Sequence, residues 1–254
     1  MQERREHIAK LPNAPLQEVI FELRWKLAFD PETQNESDKE FQFAFAKFSN
    51  FASNNFKHNV ILKPSFLPEN AFNHRPVYQF WTNKNEYPVY QLGPGVFTVN
   101  ETDTNYKWTY FQGLILQGIE WLKHSYSHKL DFSFIELRYI DTIKIPDDVT
   151  IQDFMVEHLN ITINNPVIEN VATDIQLHQR FKIDKENSLS LLVTNGIKNN
   201  NQSKIIILQT AYNKTVRILL EDLTSWIDAA HAKCSSLFKQ MISKDLYEQF
   251  SKAD

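Results

Sequence analysis

The residues best equipped for chemistry stand on short alternating stretches and form no known catalytic motif. Between Thr173 and Ile183, Gln176, His178, Arg180 and Lys182 alternate with Ile175, Leu177, Phe181 and Ile183. An extended chain puts alternate residues on opposite faces, so His178, Arg180 and Lys182 share one side. Side chains of that type can hold phosphate or carboxylate groups, and they form the candidate ligand-binding set. A second set comes from a near-repeat: Phe21-Glu22-Leu23-Arg24-Trp25 resembles Ile135-Glu136-Leu137-Arg138-Tyr139. If these are neighbouring strands, Glu22, Arg24, Glu136 and Arg138 share a face and pair across the strands, as an interface or a polar groove floor. A third group, Glu136, Asp141 and His178, could serve acid–base chemistry if the fold gathered it into one cleft.

Other chemistry finds little support. His124 and His128 have the i, i+4 spacing of a metal pair, but no H-E-x-x-H surrounds them, and they fall where a helix ends and exposed carbonyls attract histidine. No metal site is assigned. The chain has 5 glycines and no phosphate-cradling glycine loop, so no nucleotide cofactor or other cofactor is expected. The single cysteine, Cys234, lies in an apolar helical stripe, excludes an intramolecular disulfide and reads as a small buried hydrophobe. No catalytic residue is assigned.

The elements that must position these residues follow from periodicity. Glu18 to Trp25 alternates as a half-buried strand. Phe41, Phe45, Phe48 and Phe51 predict a helix over Phe41 to Phe56, its stripe widened by Phe43. Val77–Thr82 and Tyr87–Leu92 form a hairpin, and Gly93-Pro94-Gly95 turns the chain into Val96–Asn100. A helix follows over Tyr106–His124, with Gly118 on its apolar side for close packing on a sheet, then a strand over Phe132–Ile143. Thr150–Leu159 is a short helix and 164–166 a turn. Strands are expected at Thr173–Ile183, Ser188–Thr194 and Lys204–Tyr212, with Asn195-Gly196 as a turn signal. Ile205 to Leu208 is apolar on both sides, which places that strand centrally. Leu223, Ile227, Ala230, Cys234, Leu237 and Met241 stripe a long helix, and Lys244–Phe250 docks behind it. The fold expected is α+β: a ferredoxin-like βαββαβ unit over residues 1–146, packed with an antiparallel sheet plus long C-terminal helix over residues 147–254.

With 254 residues, 42% of them hydrophobic, the chain can bury one large core or two that share an interface. A net charge of -4 argues against general binding to nucleic acid or anionic membranes. The charged N-terminus and the lack of any long apolar run predict a cytoplasmic protein with no membrane partner.

The stretches Leu11-Pro12-Asn13-Ala14-Pro15-Leu16, Val19 to Arg24, Gln91 to Asn100, Tyr106-Lys107-Trp108 and Leu137 to Asp141 resemble a sporadically distributed bacterial family of uncharacterised proteins of this length. The resemblance implies mobile, defence-island or toxin–antitoxin-like gene neighbourhoods and brings no activity with it. The expected function is a non-catalytic protein-interaction or sensor component, with a partner encoded by a neighbouring gene or a homodimer. The alternative is a nucleic-acid or nucleotide-binding protein using the basic sheet face.

Overall fold

The computed structural model describes residues 11–32, 34–62, 69–102, 106–163, 167–168, 170–198, 202–216 and 218–252. The fold is α+β. In chain order it contains β1 (Leu16–Trp25), β2 (Ala28–Asp30), β3 (Asn35–Ser37), α1 (Phe41–Ala52), β4 (His58–Ile61), β5 (Tyr78–Asn83), β6 (Glu86–Gly93), β7 (Val96–Glu101), α2 (Trp108–Ser125) and β8 (Phe132–Lys144). Then follow α3 (Ile151–Leu159), β9 (Gln176–Lys182), β10 (Asn187–Lys198), β11 (Ser203–Lys214), α4 (Leu223–Met241) and α5 (Lys244–Ser251). Between α1 and α2 the chain builds four strands, two more than the six-element plan contains. The turn expected at 164–166 lies outside the described residues.

Among the described residues nine strands form one antiparallel sheet in the order β4-β5-β6-β7-β1-β8-β11-β10-β9, and β2 and β3 form a separate ribbon. The near-repeat strands are neighbours, with Glu22 opposite Glu136 and Phe21 opposite Leu137. Joined through β8 and β11, the sheet crosses residue 146 without a break. As its two-sided apolar run requires, β11 lies between β8 and β10.

All the helices among the described residues lie on one side of this sheet. Val19, Phe21, Leu23 and Trp25 of β1 join the buried residues of α1, α2 and the first part of α4 in one core. A second core gathers Ile206 and Leu208 of β11 with Phe154 and Met155 of α3, Phe238 and Met241 of α4, and Phe250 of α5. Gly118 lets α2 lie close on the sheet: a Cβ there would come within 2.4 Å of the Phe97 ring and 2.9 Å of Tyr90. Local signals set the shorter helices. Thr150 caps α3 through the Asp153 N–H, and Asn160 ends it in the left-handed region at φ 52. Ser243 caps α5 through the Leu246 N–H.

Two expectations need correction. Phe43 is 75% exposed. Two residues along a helix rotate about 200°, so Phe43 leaves the stripe that Phe41 begins. Asn195 and Gly196 stay inside β10, opposite Ile206 and Ile205. Pairing with β11 overrides the local turn signal there, and the Asn195 side chain instead accepts the Ile175 N–H at 2.7 Å. The turn of Gly93-Pro94-Gly95 belongs to the scaffold. His74 donates its N–H to the Pro94 carbonyl, and Gly95 has φ +76 with no room for a Cβ beside His74.

Candidate functional site: the uncovered sheet face

The face of the sheet away from the helices carries the residues that alternate with the core. One row crosses all nine strands: Val60, Gln79, Gln91, Thr98, Glu22, Glu136, Asn213, Ser188 and Lys182. The next row carries Ile20, Arg138, Ser190 and Arg180, and the one beyond it Glu18, Ile140, Gln209, Leu192 and His178. The two residue sets singled out in the sequence therefore share one face of one sheet. Three strand spacings separate Glu136 from Lys182, roughly 14 Å.

Glu22 and Arg24 form an ion pair along β1 at 2.5 Å, and Glu136 pairs with Arg138 along β8. The expected cross-strand pairing is thus replaced by pairing within each strand. The register explains this, because Glu22 faces Glu136 directly and each carboxylate turns to the arginine two residues on in its own strand. Asn213 donates to the second Glu136 oxygen at 3.2 Å. Arg24 also lies over the Phe134 ring, 4.9 Å from its centroid.

On the other side of β1 an amide ladder spans four strands. Trp81 Nε1 donates to Gln79 at 3.1 Å, Gln79 to Gln91 at 3.1 Å, Gln91 to Asn100 at 3.3 Å, and Asn100 to Glu18 at 2.8 Å. Tyr87 also donates to Glu18. Burial, followed by the Glu18 charge, pushes the Tyr87 hydroxyl up to about 12, so it stays a donor. Half-buried Ile20, Phe134, Ile140 and Leu192 are set among these polar groups. By contrast, His178, Arg180 and Lys182 on β9 are exposed and make no ion pair among the described residues.

Comparison of the chain with protein-family models, curated proteins and solved structures gives no match. The reading of the site therefore rests on its own geometry.

The proposed acid–base group does not assemble. Glu136 and His178 lie on the uncovered face, whereas Asp141, opposite Leu208, points to the helix side. Strand alternation causes the separation, since residues 136 and 141 differ by an odd number. His124 sits beside Glu120 and His128 beside Glu40, and no metal-binding cluster occurs among the described residues. The Cys234 thiol is 1% exposed and pushed up to about 12 by burial, which suits a packed side chain and not a thiolate.

Two polar features escaped the sequence reading. The first is the amide ladder, whose only linear trace is the placing of Gln79, Gln91 and Asn100 at outward strand positions. The second lies under α4, where the Tyr106 and Tyr139 hydroxyls are hydrogen-bonded at 2.8 Å and Tyr139 bonds His231 Nδ1 at 2.7 Å. Trp108 stacks on the His231 ring, with centroids 4.1 Å apart. Burial, then the Lys239 charge, lowers His231 to about 4, against the smaller opposing pull of Asp228. A cavity of about 80 Å³ adjoins this network. A histidine that protonates near pH 4 is a weak base at neutral pH and acts here as a structural hydrogen-bonding group. No short sequence pattern unites positions 106, 139 and 231.

Proposed function

We propose that this protein is a non-catalytic protein-interaction or sensor component that receives its partner on the uncovered face of the nine-stranded sheet. One observation carries the reading: all the described helices lie on one side, and the other side presents half-buried Ile20, Phe134, Ile140 and Leu192 in a frame of internally paired polar groups. Apolar side chains among satisfied polar ones offer area for association with little desolvation cost. The partner is the product of a neighbouring gene or a second copy of the chain. A place in a bacterial defence or toxin–antitoxin-like system enters from the family resemblance alone. The ferredoxin-like reading of residues 1–146 belongs to the same proposal. It is supported by the antiparallel order β8-β1-β7-β6 and by α1 and α2 lying on one side.

A nucleic-acid reading draws on one specific feature, the unpaired row His178, Arg180 and Lys182. The carboxylates of Glu18, Glu22 and Glu136 on the same face weigh against it.

The test is co-expression with neighbouring genes followed by mass determination of the purified species. A stoichiometric complex is expected, broken by Leu192→Arg or Ile140→Arg in variants that keep the parent's thermal unfolding. A lone monomer, or a complex indifferent to both substitutions, would overturn the proposal.

A further inference from the structure

We propose that β9 is a docking edge for an extended partner strand that alternates acidic and apolar residues and joins the sheet as a tenth strand. The inference rests on the interaction reading above and specifies both the place and the partner's chemistry.

Among the described residues the sheet ends at β9, which pairs there with β10 alone. Alternate backbone N–H and C=O groups of an end strand point outward and can template another strand. Six of the seven β9 residues are exposed, and Leu177 is half-buried. The two sides of the edge carry different chemistry. On the uncovered face stand His178, Arg180 and Lys182. On the helix side Phe181 is 44% exposed, and Ile183, just past the strand, is 40% exposed. An added strand has the same two-residue period, so its side chains divide between these environments. Acidic residues opposite the basic row and apolar residues beside Leu177 and Phe181 complement both.

The same pattern disfavours the other occupants. Pairing β9 with β9 of a second copy, faces matched, sets members of the His178, Arg180 and Lys182 row opposite one another, and like charges directly opposite destabilise. A nucleic acid would use the basic row alone and leave Phe181, Ile183 and the backbone edge unsatisfied. At the far end of the sheet β4 has four residues and offers no charged row.

The experiment uses the full chain, a peptide alternating glutamate and valine, and a control alternating lysine and valine. Two cross-strand charge contacts, to Arg180 and Lys182, predict that the acidic peptide binds roughly tenfold tighter than the lysine control, with the advantage shrinking at high salt. Backbone amides of residues 176–182 should exchange more slowly when it is bound. The double substitution Arg180→Glu with Lys182→Glu should invert the preference. N-methylation of the acidic peptide along its pairing edge should abolish binding. Equal or absent binding of the two peptides overturns the inference, as does binding without protection of β9. Protection that rises with protein concentration alone would assign the edge to a second copy. Oligonucleotide binding lost in the double variant, with no peptide binding, would assign it to nucleic acid. If a natural partner complex is broken by Leu192→Arg but not by the double variant, the face proposal stands and the edge inference falls. The reverse pattern keeps the edge and removes the face.

Discussion

Successive residues of β1 belong to two different physical regimes. Val19, Phe21 and Leu23 are completely buried under the helices, whereas Ile20, Glu22 and Arg24 between them are half-buried on the uncovered face. The covered side of the sheet is held by apolar burial and ring packing, such as Phe48 against Phe80, Tyr90, Phe97 and Trp121. Its polar groups are exceptions to that packing. On the uncovered side the polar groups satisfy one another through ladders and intrastrand ion pairs. One strand thus separates the residues that hold the fold from those on the uncovered face.

The largest expected contrast tests that separation directly. Phe21→Ala should cost about 4 kcal/mol of unfolding free energy, while Ile20→Ala on the same strand should cost about 1 kcal/mol. Urea titration of both variants checks this, and equal losses would mean that the second face is also covered.

The next effect comes from the polar exceptions on the covered side. His231 has its folded value lowered from 6.5 to about 4. Between those limits the unfolded chain binds more protons than the folded one, so stability is highest above pH 6.5 and falls as pH drops towards 4. The full loss is about 3 kcal/mol. Unfolding measured from pH 7 to pH 4 should show this slope, and His231→Gln should flatten it.

The smallest effect concerns Glu101, which is fully buried. One of its oxygens accepts the Thr102 N–H at 2.9 Å, and the other has no hydrogen-bond partner among the described residues. Burial raises its folded value, so its favourable contribution is complete below the usual carboxylate range and is lost as pH rises. Glu101→Gln should stabilise the protein at pH 7 by about 1 kcal/mol. The gain should vanish as pH falls through the carboxylate range, a trend readable by thermal unfolding at several pH values.

Much of the fold was legible because alternation and helical spacing report burial directly. β1, β8, β9, the core stripe of α4 and the seat of Gly118 all follow from residue type and period. A reading failed where non-local pairing outweighed local preference, at Asn195-Gly196, and β4, with four residues of which two are polar, carried too little pattern to be read at all. Of the candidate site, the membership of each face was readable from parity along a strand. The ion-pair partners were not, because Glu22 and Glu136 meet only through the register of β1 on β8.

By itself the sequence determined which side chains strands such as β1, β8 and β9 turn to either face, most of the helical stripes, and the absence of a linear catalytic or phosphate-binding motif. Those properties depend on residues a few positions apart. Only the tertiary structure decided that nine strands join in one sheet, that all the helices cover the same side, and that β9 is left at the edge. It also decided that Tyr106, Tyr139 and His231 meet beneath α4. Such contacts join positions dozens of residues apart, and their stability comes from the burial and pairing of whole elements, which no local pattern encodes.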